Sequence, residues 1–224
     1  MKYVTCCILL SRCVRTDPMD TAEPSQRDRI LQAATDLIRR FGEAKTNVVD
    51  IAQAMGLSHS AIYRHFRSKA EIFDALAEAT MAEEAVLAET FVEADGPASA
   101  RLLALVLALH QSKCRKYAQD AEMHALYRRI LEERPDLVLD YAQRMTGLVR
   151  RIIADGVERR EFVVDDPDIA AGVVRDAVTV FVHPAHVEAA AKAGIDMESG
   201  LRNLMKVILR GLSSSWPEER AAPR

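Results

Sequence analysis

Apolar residues recur at intervals of three and four along almost the whole chain, and no stretch sustains the period-2 alternation of a half-buried strand. The fold class is therefore all-α. From Ser25 to Phe41 the apolar positions Ile30, Ala34, Leu37, Ile38 and Phe41 share one face, and Gly42 is a suitable stop. Asn47 with Asp50 forms a weak capping box for a short helix from Val48 to Met55, which Gly56 breaks. Ser58 caps a further helix to about Phe66. Ser68 and Glu71 form a second capping box, opening a long helix with Ile72, Phe73, Leu76 and Ala79 on its buried side.

Asp95-Gly96-Pro97 closes that long helix, so a first domain ends between Glu83 and Pro97. Beyond it, Leu102 to Leu109 is apolar all round, the mark of a helix surrounded by others, and it continues through His110, Cys114 and Tyr117. A shorter helix carries Met123, Tyr127 and Ile130. Pro135 starts a longer one bearing Val138, Tyr141, Met145, Leu148 and Ile152, and two last helices run from Asp168 to Val182, ended by Pro184, and from Met197 to Leu212. The expected division is an extension over 1–24, a head over 25–83, a body over 84–213 and a flexible tail over 214–224. The extension is either disordered or upstream of the true start, since Met19 stands just before a polar segment.

Composition excludes several classes. With 49% hydrophobic and 28% charged residues, the 224-residue chain has the balance of a soluble globular protein. Its 30 basic against 33 acidic side chains, net charge -3, rule out a uniformly basic coat for nucleic acid. No run approaches the ~18 consecutive apolar residues that would span a bilayer, so no membrane partner is expected. Cys6, Cys7 and Cys13 crowd the start and Cys114 stands alone, which is neither a disulfide framework nor a zinc site. Val4 to Leu10 imitates the core of a signal peptide but is short and has no cleavage site after it, so a cytoplasmic location is expected. No serine elbow, phosphate-cradling glycine loop or metal-spaced histidine motif appears, and Pro184 separates His183 from His186. Neither an enzyme, nor a cofactor, nor a metal is expected.

Function concentrates between Val48 and Phe66. Ile51, Ala52, Gly56, Leu57 and Ile62 fall at the spacing of two short helices crossing closely: Ala52 is small enough for the approach, Gly56 permits a left-handed turn, and the others fill the core beneath. This is a helix-turn-helix, in which the second helix, Ser58 to His65, enters the major groove of DNA. From Ile51 to Ala70 there is no acid, while Arg64, Arg67 and Lys69 are basic and His59 and His65 add to them. Lys69 also stands at a helix start, where free N–H groups favour a phosphate oxygen.

The segment from Arg27 to Leu76, with RDRILQAATDLIRRFG, TNVVDIAQAMGLSHSAIYRHFRSKAEIFDAL and above all IYRHFRSK, resembles the DNA-binding domain of the tetracycline-repressor (TetR) family. The resemblance implies a homodimeric bacterial repressor whose helical C-terminal domain binds a small effector and releases double-stranded operator DNA. It implies that His59, Ser60 and Ala61 face bases and that Lys45, Thr46, Tyr63, His65 and Lys69 hold phosphates. Ser58 and Arg64 complete the set, Arg64 reaching either a phosphate or solvent. Ile62 and Phe66 are core anchors. The apolar faces Ile169, Val173, Val174, Ala177, Val178 and Phe181, and Leu201, Leu204, Met205, Ile208 and Leu212, look like the family's four-helix dimer seam; closing the monomer core is the alternative. Polar tips on the middle helices, His110, Cys114, Tyr117, Met123, His124 and Tyr127, are the candidates for the effector pocket. Cys114 is read as an inert thiol rather than a redox sensor. Arg160 stands where many relatives have a Gly before Phe162. The competing function is a helical ligand-binding or scaffold protein that does not read DNA.

Overall fold

A computed structural model describes residues 23–214; the expectations for the cysteine-rich start and for the terminal tail beyond 214 lie outside the described residues. Every regular element within them is helical: α1 (Gln26–Phe41), α2 (Val48–Ala54), α3 (His59–Tyr63), α4 (Lys69–Val92), α5 (Ala98–Gln119), α6 (Ala121–Glu133), α7 (Pro135–Glu158), α8 (Pro167–Val182), α9 (Pro184–Lys192) and α10 (Met197–Leu212), with one 3-10 turn at Glu43–Lys45.

Local chemistry sets the boundaries. Ser25, Asn47, Ser58 and Ser68 cap α1 to α4, and the α1 and α2 caps are full reciprocal boxes through Asp28 and Asp50. The helix opened by Ser58 stops at Tyr63 rather than Phe66, because His65 and Phe66 both donate to the Ile62 carbonyl and tighten the chain into a turn. A further helix, α9, follows Pro184. That proline ends α8 as expected, but its fixed φ and missing N–H also suit the first position of a helix, which is where it sits.

Two hydrophobic clusters result. Ile30, Ile38, Ile51, Ile62, Phe66 and Ile72 form the core of the head, and Leu126, Tyr127 and Ile130 of α6 join it from the body. Leu102, Leu105, Ile152, Ile153, Leu201 and Met205 centre the second cluster. α4 threads both, with Ile72 to Met81 in the first and Ala85 to Ala88 in the second. α5 packs against α4 and every helix from α6 to α10, as its all-round apolar stretch requires.

The α7–α8 turn holds a strained residue. Arg160 has φ of 61°, the left-handed region that costs an L-residue about 1–2 kcal/mol, and its side chain is exposed. Arg160→Gly removes that strain but gives the unfolded chain about 0.5–1 kcal/mol of extra entropy. A net stabilisation of up to about 1 kcal/mol is expected in urea unfolding; a loss of stability would show that the Arg160 side chain contributes where it stands.

Candidate nucleic-acid interface and inner cavity

α2 and α3 meet through a turn whose geometry depends on one glycine. Gly56 has φ of 65°, and the Leu57 N–H then donates to the Ala52 carbonyl at 2.9 Å. Ala52 is 3% exposed and Ile51 and Ile62 are fully buried, so the two helices cross at the small residue and lock over it. The opposite face of α3 is free: His59, Ser60, Tyr63, Arg64 and His65 are exposed, and His59 packs edge-on against Tyr63 with centroids 4.6 Å apart. Ser58 is spent on the cap, accepting from the Ala61 N–H, and lies 3.0 Å from the Ser60 hydroxyl. Lys45 is exposed at the end of the 3-10 turn. Among the described residues the exposed Lys45, Arg64 and Arg67 enter no salt bridge, so their charge is available to a phosphate backbone.

Three of the expected contacts are placed differently. Thr46 is 1% exposed and its hydroxyl donates to the Gly42 carbonyl at 2.9 Å, which closes the α1–α2 connection and commits that side chain to the backbone. Ala61 is 9% exposed, which leaves little of its methyl to meet a thymine. Lys69 is half-buried, donating to the Glu43 carbonyl at 3.1 Å and lying over the Phe73 ring. Arg27, not singled out among the candidates, lies 4.3 Å over the Phe66 ring and steadies the segment that follows α3.

The two apolar C-terminal faces divide into an inside and an outside. Val174, Val178, Leu201, Met205 and Leu212 are buried in the body's own core, so for these the monomer-core alternative holds. Ile169, Val173, Val180 and Val207 are 67%, 59%, 43% and 69% exposed, with Ala177, Phe181, Leu204 and Ile208 half-buried beside them. These side chains form an outer apolar strip along α8 and α10.

Inside the body, a cavity of about 180 Å3 opens among α5, α6, α7 and α8. Its walls are mainly aliphatic, Leu105, Leu109, Val149, Val174 and Val178 among them, with Tyr127 and Tyr141 at one end and His183 near the α8–α9 junction. Of the six expected pocket residues only Tyr127 lines it. His110 is buried, its Nδ1 donating to the Phe181 carbonyl at 2.8 Å while Nε2 lies 3.6 Å from Cys114 Sγ; it ties α5 to α8 instead. Burial, helped by Glu198, holds the Cys114 thiol above its ordinary value, in keeping with an inert thiol. Met123 and His124 border a separate polar cleft between α1 and α4 to α6, and Tyr117 packs edge-on against His124.

A buried charge pair at the base of the cavity was not among the residues expected from spacing. Lys113 Nζ is 2.7 Å from Glu84 Oε1 with both side chains almost wholly buried, and Tyr141 donates to Glu84 Oε2 at 2.7 Å while Lys113 donates to the Tyr127 hydroxyl at 3.3 Å. Burial lowers the Lys113 pKa against the pull of Glu84, and raises both tyrosines well above their usual range. Both residues lay on legible stripes: Lys113 follows Leu109 by four positions and Glu84 follows Met81 by three.

Two histidines make folding pH-dependent. Burial lowers the pKa of His124, although Glu188 Oε2 lies 3.3 Å from its Nε2, and burial beside His186 and Lys113 lowers that of His183. The unfolded chain therefore takes up these protons first as the pH falls, so the stability they confer is full above their ordinary pKa of about 6.5 and is lost as the pH falls through it toward the folded values. The melting temperature should drop from pH 7.5 to 5.5, and drop less with His124 and His183 both replaced by Gln. An equal drop in that variant would assign the effect to other groups.

Fold and site together define an all-helical protein with a helix-turn-helix head on a larger helical body. The chain belongs to the tetR family of bacterial regulatory proteins: residues 30–76 match the family description "Bacterial regulatory proteins, tetR family" and residues 98–200 match "Tetracyclin repressor-like, C-terminal domain". A nucleoid occlusion factor, SlmA, from Marinobacter nauticus is 41% identical over 68 residues, 30% of this chain and 34% of that protein. An HTH-type transcriptional regulator, TcmR, from Streptomyces glaucescens is 31% identical over 140 residues, 59% of this chain and 61% of that protein. The first of these matches thus spans about a third of its relative's length. Among solved structures, the TetR family transcriptional regulator PfmR from Thermus thermophilus aligns with a TM-score of 0.55 at 25% identity, covering 84% of this chain and all (100%) of that one. Within the described residues no helix is long and apolar enough to cross a membrane, and no cluster of three or more metal-ligating side chains occurs.

Proposed function

We propose that this chain is a homodimeric transcriptional regulator that binds a palindromic DNA operator and, acting as a repressor, is released from it by a small-molecule effector. The observation that carries the proposal is the outer face of α3, where His59, Ser60, Tyr63, Arg64 and His65 stand exposed in a window free of acids, on a turn held by Gly56. His59 and Ser60 exchange hydrogen bonds with base edges; Lys45, Tyr63, Arg64 and His65 hold phosphates on either side. Dimerisation through the outer strip of α8 and α10 places two such helices about 35 Å apart, matching successive major-groove faces. The protein acts in the cytoplasm, where bacterial DNA is. The likeness to the nucleoid occlusion factor is confined to a stretch of 68 residues and supports DNA binding without extending to that protein's role.

The effector switch runs through α6. Tyr127 and Leu131 of α6 line the cavity, and the same helix grips the head through Arg129–Glu43, with Arg39–Asp120 and Arg134–Asp74 at its two ends. An effector that binds better when α6 and α4 stand slightly apart shifts the dimer toward a spacing that no longer fits DNA. Loss of phosphate contacts provides the test. Lys45→Ala should reduce the slope of log affinity against log salt by about 0.9 for each phosphate lost, equally on all sequences, and Tyr63→Phe should weaken binding about tenfold. If neither variant changed DNA affinity, the competing scaffold function would stand.

A further inference from the structure

The charges around the cavity cancel before any ligand arrives. Lys113 places its ammonium 2.7 Å from Glu84 Oε1 and donates to Glu84 Oε2 at 2.8 Å and to the Tyr127 hydroxyl at 3.3 Å, so its charge is already paired. Glu84 is paired in turn: its Oε2 accepts from Lys113 and Tyr141, and its Oε1 lies 2.7 Å from Lys113 and 3.6 Å from Lys116. Arg175, on the α8 wall, is held by Asp176 and by the Thr146 hydroxyl. An anionic ligand would find no uncommitted cation here, and a cationic one no uncommitted carboxylate. Either would meet the cost of an unpaired buried charge.

Two uncharged donors remain. Tyr127 accepts from Lys113, and among the described residues no hydrogen bond uses its own hydroxyl proton. His183 Nδ1 accepts from the Ala185 N–H at 3.3 Å, which fixes its proton on Nε2, and that nitrogen likewise has no partner among the described residues. Both residues line the same cavity, whose other walls are mainly hydrocarbon. Its volume of about 180 Å3 is close to the roughly 150 Å3 of an apolar cavity that takes up benzene.

We infer that the effector is a compact, uncharged, mainly hydrocarbon molecule about one or two rings in size, bearing an acceptor oxygen such as that of a ketone, aldehyde or ester and no ionised group. The inference rests on the cavity being the effector site proposed above, and it names the ligand class of that site. The oxygen accepts from Tyr127 or His183 while the rings replace cavity space against Leu105, Leu109 and Val178. Ionised relatives of the same skeleton are rejected because Glu84 and Lys113 neutralise one another.

Matched probes on the full chain test this without DNA. Calorimetric titration with methyl cinnamate, cinnamate and the oxygen-free propenylbenzene should give binding of the ester, at least tenfold weaker binding of the carboxylate, and intermediate binding of the hydrocarbon. Tyr127→Phe should weaken the ester about fivefold and leave the hydrocarbon unchanged. Ala142→Phe, which fills the cavity from α7, should abolish binding of both, with an unchanged helical circular-dichroism spectrum showing that it folds. Tighter binding of cinnamate than of its ester, or failure of all three probes to bind at millimolar concentration, would overturn the class assigned here. Binding of the ester with no loss of DNA affinity would support that class and overturn only the switch in the proposed function.

Discussion

Glu84→Ala should destabilise the chain by about 3–5 kcal/mol, the cost of leaving Lys113 charged and unpaired among Leu105, Leu109 and the two tyrosines. For a domain of this size that corresponds to a melting temperature lower by roughly 6–20 °C. Lys113→Ala should cost a similar amount by stranding the carboxylate, relieved in part because Tyr141 still donates to it. Exchanging both at once, Glu84→Leu with Lys113→Met, should recover most of the loss, since two well-packed apolar side chains carry no desolvation cost, the tyrosine hydroxyls lose one partner each and Lys116 keeps Glu83. Urea unfolding of the three variants checks this. If Glu84→Ala were tolerated with less than about 1 kcal/mol, the pair would not be ionic and buried as described. The pair matters beyond stability because Glu84 belongs to α4, the helix that carries the head, while Lys113 borders the cavity.

Val173→Asp is the second large effect, and it should appear in assembly rather than folding. Val173 is 59% exposed, so a carboxylate there is solvated in the monomer and should change its stability by no more than about 0.5 kcal/mol. In a two-fold seam the same substitution occurs on both copies, and burying or opposing two like charges costs several kcal/mol, more than a hundredfold in the dimer dissociation constant. Sedimentation should show a monomer, and operator affinity should fall with it. Val174→Asp, one position along, should instead unfold the body, because Val174 is 1% exposed. A Val173→Asp protein that remained dimeric at micromolar concentration would move the seam elsewhere.

That contrast also marks where sequence stopped being sufficient. Helical periodicity found α8 and α10 and their apolar positions, but both helices are apolar over a wide arc, and periodicity does not say which half of the arc meets the core. Only the packing of α8 on α7 and α10 divides Val174 from Val173. The head was the most legible part, because Ala52, Gly56 and Ile62 each answer a local geometric need and the cap residues Ser25, Asn47 and Ser68 mark the starts of α1, α2 and α4. The Thr46 hydroxyl satisfies the Gly42 carbonyl, a role with no pattern in the sequence. The cavity has little polar signature on α5 and α6, because about half of its wall is valine and leucine that look like ordinary core. α9 has no start signal of its own in the sequence, because Pro184 both ends one helix and begins the next.

The central claim is that α3 reads DNA as one of a symmetric pair. Selection of bound duplexes from a random pool at moderate salt, with the intact protein, tests it most directly. The expected result is enrichment of an inverted repeat whose half-sites are centred about 10 base pairs apart or a multiple of that spacing, and loss of the base preference in one position of each half when His59 is replaced by Ala. Recovery of no preferred sequence, or of one without two-fold symmetry that His59→Ala leaves unchanged, would contradict it.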